Sequence, residues 1–575
     1  MNVAELVVDT LRNAGIERIY GVPGDSLNGI TEALRVRDAI QWVHVRHEET
    51  AAFAAAGEAH LTGRLAVCAG SCGPGNTHLI NGLYDANRSR VPVLAIAAQI
   101  PSGEIGSGYF QETHPERVFQ ECSLYCELVS SPNQLPRTLE CAIRAAVGQR
   151  GVAVVVIPGD VALLAAENVD RMAATRALLP APPLVRPHDD DLDALAHLLN
   201  ESRKVTLLCG RGCAGAHDSL MRLAERLKSP IVHALGGKEA VEWDNPFDVG
   251  MTGLIGFASG YRAMLRCDTL LMLGTDFPYR QFYPTDARIA QVDLRPENLG
   301  RRCKIELGLV GDVNETITAL LPRLTERTER THLDDSIAHY KKARTGLDDL
   351  AVGTPGRKPI HPQYLTRTLD RLAAADAVFT CDVGTPTVWA ARYVAMNGRR
   401  RLIGSFVHGS MANALPHAIG AQAAFPGRQV ISLSGDGGFA MLMGDFLTLQ
   451  QADLPVKVVL YNNSTLGFVQ MEMQAAGQLD WGVNLVNPDF AAMARAAGVH
   501  AIRVEDPKDL EIAITDFLHH PGAALLDVVT ATQELTIPPH IKAAEVKGFG
   551  LFTLRAIMDG RGSQLLDLAR TNLLR

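Results

Sequence analysis

VISLSGDGGF (residues 430–439) and VKVVLYNNSTLGF (residues 456–468) decide the fold. Each begins as a run of apolar and β-branched residues and stops at glycine or asparagine. A short strand that is apolar on both faces belongs inside a parallel sheet covered by helices. Gly435-Asp436-Gly437 closes the first run and Asn462-Asn463 the second. Both polar groups therefore project from carboxyl ends of successive strands, where open α/β sheets bind ligands. Asp436 and Asn463 offer hard oxygen ligands, one charged and one an amide, which suit Mg²⁺ or Ca²⁺ bridging to a diphosphate. The flanking glycines let backbone amides approach phosphate oxygens. GDG alone is no more than a tight turn with a helix-capping aspartate; GDG followed by NN at this spacing marks a cofactor site.

The same alternation extends outward. Strand-like runs at 65–69, 91–98, 152–157, 205–209 and 269–273 are separated by amphipathic helical stretches, so the chain is α/β with parallel sheets flanked by helices. Stretches near 162–190 and 324–362 lack strand signals, contain proline clusters or charge, and read as linkers. They give blocks at 1–182, 183–335 and 336–535, followed by a tail at 536–575. At 575 residues the chain exceeds one core, with 47% apolar and 21% charged residues. A net charge of -8 gives no reason to expect nucleic-acid binding. Ten scattered cysteines suggest reduced, mostly buried thiols of a cytoplasmic protein. The N-terminus is not a secretory signal, and no apolar run approaches the ~18 residues needed to span a bilayer.

GDGGF with NNSTLGF resembles the signature of the thiamine-diphosphate enzymes, which include pyruvate oxidases, acetolactate synthases and decarboxylases. The resemblance implies a thiamine pyrimidine-binding block at 1–182, a central block at 183–335 and a diphosphate-binding block at 336–535. It implies that Asp436, Asn463 and the Thr465 carbonyl hold Mg²⁺. Gly437, Gly438, Ser464, Leu466, Gly467, Phe468 and Val469 would complete that side of the cofactor. Gly409, Ser410 and Met411 would line the other, with Met411 as the wedge that bends it; a core methionine filling a gap is the plainer reading.

Thiamine chemistry needs a buried carboxyl group on the aminopyrimidine ring, which favours its imino form. In VRHEETAA (45–52), where strand-like WVHV runs into an alanine-rich helix, the resemblance assigns this to Glu48. Glu49 is the competing candidate, and both also suit the first turn of a helix. In this family the cofactor lies between blocks of two subunits, which implies at least a dimer and usually a tetramer.

CGRGCAG (209–215) is a weak GxGxxG-like string. With GMTGLIG (250–256), GTDFPYR (274–280) and Asp293 it resembles an FAD-binding central domain. Thr252, Gly253, Leu254 and Ile255, and Thr275, Asp276, Phe277, Pro278 and Tyr279, would contact the flavin nucleotide; Asp293 would serve the adenosine side. Three ordinary βα turns without ligand are the alternative.

AVCAGSCGPGNTHLINGL (66–83), SGYFQETHPE (107–116) and CDVGTPTVWAARY (381–393) look like the quinone-linked pyruvate oxidoreductases over the whole chain. By that resemblance His78, Phe110, Gln111, Val383 and Glu472 surround pyruvate, and Phe468 moves between thiamine and flavin. His78 is otherwise an interior histidine and Phe468 a core aromatic. Pyruvate would lose CO₂ to give a hydroxyethyl carbanion, FAD would take two electrons, acetate would leave, and a membrane quinone would reoxidise the flavin.

The tail after Pro538-Pro539 places Leu551, Leu554, Ile557 and Met558, then Leu565, Leu568 and Leu573, at helical spacing. It carries Arg555, Arg561, Arg570 and Arg575 against Asp559 and Asp567. Such a helix suits an anionic phospholipid surface at the cytoplasmic face of the membrane, or docks on its own protein, and Gly560-Arg561-Gly562 interrupts it. Acetolactate synthase, an oxygen-using pyruvate oxidase and a silent binding protein are the other readings.

Overall fold

Three parallel six-stranded sheets follow one another along the chain, each flanked by helices. The computed structural model describes residues 1–166, 178–179, 181–353, 358–532, 534, 543–559 and 561–572. The first sheet holds β1 (Arg18–Gly21), β2 (Gln41–His44), β3 (Ala66–Gly70), β4 (Val93–Gln99), β5 (Tyr125–Leu128) and β6 (Val152–Pro158). The second holds β7 (Val205–Cys209), β8 (Ile231–His233), β9 (Asp248–Met251), β10 (Thr269–Leu273), β11 (Arg288–Asp293) and β12 (Leu307–Val310). The third holds β13 (Val378–Cys381), β14 (Arg401–Gly404), β15 (Val430–Gly435), β16 (Lys457–Asn462), β17 (His500–Val504) and β18 (Ala524–Val529). All the pairings are parallel. Each strand run expected from the sequence lies on one of these strands, and the apolar faces are buried in the sheets' interiors.

Strand order separates the sheets into two kinds. The first and third run β2-β1-β3-β4-β6-β5 and β14-β13-β15-β16-β18-β17, the same path repeated. The middle sheet runs β12-β11-β10-β7-β8-β9. Numbered from β7, that is the 3-2-1-4-5-6 order of dinucleotide-binding sheets. The order reverses direction between β13 and β15 in the third sheet and between β7 and β10 in the second. Ligand crevices of open α/β sheets open at these reversals, beyond the carboxyl ends of the strands.

The helix Glu48–Thr62 and the helix Ala414–Ala424 pack the first and third blocks together. Both are alanine-rich, so their backbones approach closely: a Cβ on Gly420 would sit 1.9 Å from the Ala54 carbonyl oxygen. The first helix starts with Glu48 and Glu49 in its first turn, where the macrodipole favours them. His47 Nδ1 caps it by accepting from Glu49 N at 3.2 Å, and Gly63 ends it in the left-handed region at φ 66°.

The stretch near 324–362 is partly helical. Thr331–Leu350 is a 20-residue helix that packs on the middle block, with Leu333 buried and Tyr340 edge-on to Phe257. The tail forms two helices, Ala543–Met558 and Gly562–Asn572, broken where the Gly-Arg-Gly string stands; Gly560, Leu573 and Arg575 lie outside the described residues. All ten cysteines are free thiols, most of them buried. Among the described residues, no helix is long and apolar enough to cross a membrane.

Candidate active site

The third sheet brings Asp436 and Asn463 together. Gly435 and Tyr461 are register partners on β15 and β16, so the segments that follow leave the sheet side by side. Asp436 opens the helix Asp436–Leu442 and is buried. Its Oδ1 accepts from Gly437 N at 2.9 Å; its Oδ2 accepts from Ser464 N at 2.6 Å and Asn487 Nδ2 at 2.7 Å. Burial raises this carboxyl above its ordinary pKa against the pull of those donors. Among the described residues no lysine or arginine pairs with it. A buried carboxylate with an amide beside it and no basic partner fits a hard divalent cation. Asn463 Oδ1 accepts from Thr465 N at 3.1 Å, and Thr532 Oγ1 donates to the Asn463 carbonyl at 2.8 Å. Thr385, Asn463, Gly467, Thr530 and Thr532 line a crevice at this end of the sheet.

The opposite wall comes from the loop after β14. Met411 Cε lies 3.6 Å from where a Cβ on Gly437 would stand, so Met411 faces the GDG turn. Gly438 admits no side chain: a Cβ there would meet Asp382 Oδ2 at 2.4 Å. Ala412 and Ser464 both hold left-handed backbones at φ 62° and 57°, costly for residues with a Cβ and common at ligand sites.

Asp382 and Asn487 carry no sequence signal of their own. Asp382 Oδ1 accepts from Ala414 N at 2.9 Å, while Oδ2 is buried without a hydrogen-bond partner. Burial pushes this carboxyl up to about 7. Asn487 Nδ2 bridges Asp436 Oδ2 and Asn462 Oδ1.

The first block supplies a second corner. Glu48 is buried, and its Oε2 lies 2.8 Å from His78 Nδ1. His47 stacks on the His78 ring at 4.3 Å. Gln111, left-handed at φ 62°, accepts from Cys72 Sγ through Oε1 at 3.3 Å. Glu49 is not idle: its Oε1 accepts from Asn81 Nδ2, which also donates to Ser410 Oγ at 3.0 Å. Arg46 N donates to Asp445 Oδ1 at 2.7 Å. These bonds tie the segment around Glu48 to the Ser410 loop and to the turn at Asp445, both in the third block. Phe110 is 78% exposed on the surface of this single chain.

The middle block meets the same region. Thr252 Oγ1 is buried without a partner beside the loop 252–256, the kind of orphan a bound ligand satisfies. Thr275, Asp276, Pro278 and Tyr279 follow β10, at the strand-order reversal. Asp276 is bonded to Arg301 and Arg302, and Asp293 Oδ1 accepts from Arg295 N and Asn298 Nδ2. The Phe277 ring packs in the core with Phe282 and Tyr283, so only its backbone is offered to a ligand. Burial, and then the charge of the Glu472 carboxylate on the helix Gly467–Ala475, raises Tyr279 above its ordinary pKa. Arg392 Nε donates to the Ile255 carbonyl, and Ile255 and Phe468 pack on one core cluster; Glu472 and Val469 are exposed and Val383 half-buried.

Comparison with known proteins identifies the three blocks. A thiamine pyrophosphate enzyme N-terminal TPP binding domain matches residues 1–118, the central domain 192–320 and the C-terminal TPP binding domain 382–528. A putative thiamine pyrophosphate-containing protein of Bacillus subtilis is 36% identical over 99% of this chain and 98% of its own length. The chain belongs to the thiamine pyrophosphate enzyme family. Pyruvate oxidase of Lactiplantibacillus plantarum is 32% identical over 88% of this thiamine pyrophosphate enzyme and 84% of its own length. Chloroplastic acetolactate synthase of Arabidopsis thaliana is 30% identical over 93% and 82%.

Proposed function

We propose that this thiamine pyrophosphate enzyme oxidatively decarboxylates pyruvate to acetate and CO₂, passing two electrons through FAD to a membrane quinone. The observation that carries this reading is the packing of Ile255, from the loop after β9, on the same core cluster as Phe468. It sets the crevice of a dinucleotide-ordered sheet against the helix that follows the metal motif. The likeness to a pyruvate oxidase supports the substrate.

When bound, thiamine diphosphate supplies the nucleophilic carbon and electron sink for a 2-oxo acid, and FAD supplies the two-electron acceptor. Asp436, Asn463 and the Thr465 carbonyl hold Mg²⁺ on the diphosphate. Gly409, Ser410 and Met411 hold the ring side. Glu48 would hydrogen-bond the aminopyrimidine ring, and its Oε2, 2.8 Å from His78 Nδ1, can exchange a proton with that histidine. Gln111 and Glu472 would orient the substrate carboxylate and the developing hydroxyl, and Val383 would line a pocket that admits the water whose oxygen ends in acetate. Phe110 covers the pocket from a second copy of the chain, in a homotetramer.

The tail supports a membrane acceptor. Arg555 Nη1 donates to the Gly477 carbonyl at 2.6 Å and Arg561 Nη1 to the Asp480 carbonyl at 3.1 Å, docking the tail beside the Glu472 helix. Phe552 and Ala556 face the protein, whereas Leu554, Ile557 and Met558 face outward. An outward apolar stripe with arginines suits peripheral binding at the cytoplasmic face of the membrane. The test is a coupled assay: one acetate formed per short-chain quinone reduced supports the reading, while acetolactate, or acetyl phosphate with peroxide, overturns it.

A further inference from the structure

We propose that His60, Asp85 and His417 form a second metal site, for Zn²⁺, which fastens the first block to the third. This inference does not rest on the proposed activity. His60 stands in the last turn of the helix Glu48–Thr62, Asp85 on the helix Pro74–Arg88 and His417 on the helix Ala414–Ala424. One ligand atom from each lies within 4.8 Å of the others. Asp85 and His417 are 0% exposed.

Four polar atoms converge there without a hydrogen-bond partner: His60 Nε2, His417 Nε2, and both Asp85 carboxylate oxygens. An orphaned buried carboxylate is costly, and native proteins leave few such groups unpaired. The tautomer of His417 sharpens the conflict. Asn413 Oδ1 accepts from Ser405 N at 3.1 Å while its Nδ2 donates to the Ser410 carbonyl at 2.7 Å, which fixes the amide. Nδ1 of His417, 3.0 Å from that Oδ1, must therefore be the N–H donor. In the neutral ring Nε2 then turns a lone pair toward Asp85 Oδ2, 3.2 Å away.

A shared cation removes the repulsion. Tetrahedral Zn²⁺ with bonds of about 2.0–2.1 Å holds neighbouring ligand atoms roughly 3.3 Å apart and off one another's axes. The His417–Asp85 contact has that length and fails hydrogen-bond geometry. Two imidazoles and one carboxylate suit Zn²⁺ over Mg²⁺ or Ca²⁺, with water as fourth ligand. Asn413 accepts from the other ring nitrogen of His417 and so holds its imidazole in place. Because Asn413 also binds the Ser410 carbonyl, the site would brace the loop carrying Ser410 and Met411.

The test uses the full-length protein, dialysed against a strong chelator and titrated with Zn²⁺ alone against a chromophoric competitor, without thiamine diphosphate. One Zn²⁺ per chain, retained in Asp436→Asn and weakened at least 100-fold in the His60→Gln/His417→Gln double variant, is expected. Co²⁺ in place of Zn²⁺ should give the intense visible bands of a tetrahedral nitrogen–oxygen site. Should the double variant fail to fold, the stoichiometry and Co²⁺ spectrum of the unaltered chain decide. No stoichiometric Zn²⁺ in the unaltered chain, or equal affinity in a folded double variant, overturns the site and leaves an imidazolium–carboxylate pair.

Discussion

Buried Glu48 meets the exposed His78 at 2.8 Å, a contact along which the proton that the proposed chemistry needs can pass. Glu48→Gln should lower kcat for pyruvate-dependent dye reduction about 10²–10⁴-fold with cofactors saturating. Glu49→Gln, whose amide oxygen can still accept from Asn81, should cost less than tenfold; the reverse ranking would reassign the role. Asp382 predicts a pH effect on stability. Its carboxyl is pushed up to about 7 by burial. Between about pH 4 and 7 the folded protein therefore keeps a proton that the unfolded chain releases. The stabilisation is fully present below that window and lost as pH rises through it. Thermal midpoints at pH 5 and pH 8 should fall further apart for the unaltered protein than for Asp382→Asn, and equal differences would refute this. Asp436 and Asn463 were legible because each sits in a short local string at a strand end. Asp382 was not, because it reaches the site from β13, whose pairing with β15 no local string announces.

At the scale of elements, the crossing of the two alanine-rich helices holds the candidate site in shape. Gly420→Ala places a methyl against the Ala54 carbonyl, which should cost about 1–3 kcal/mol by overpacking. Thermal denaturation should show it, with looser cofactor binding as a consequence; a neutral variant would mean that the blocks dock independently of this crossing. For the tail, deleting residues 549–575 should leave pyruvate-dependent dye reduction intact and abolish stimulation by anionic phospholipid vesicles. Equal stimulation of the shortened chain would contradict a lipid role. Helical spacing indicated the tail helices, yet it could not say which stripe docks. Phe552 and Ala556 repeat at four residues just as Leu554 and Met558 do, and only the groove beside Gly477 selects between them.

For the whole molecule, apolar runs announce parallel sheets, but strand order depends on which strand crosses which, and that is decided by long-range packing. The dinucleotide order of the middle sheet thus emerges only in three dimensions, where it strengthens a weak glycine string. Assembly is likewise invisible in local sequence. Phe110 at 78%, Trp481 at 83% and Val486 at 103% exposure are large apolar side chains that a second copy would cover. Sedimentation should accordingly find dimers or tetramers, and a stable monomer would contradict the assembly. The most direct measurement of the proposed activity is the anaerobic absorbance of the holoenzyme, with thiamine diphosphate and Mg²⁺ present, after adding pyruvate. Bleaching of the flavin band, reversed by quinone, is the expected result; a flavin that stays oxidised while pyruvate is consumed would contradict it.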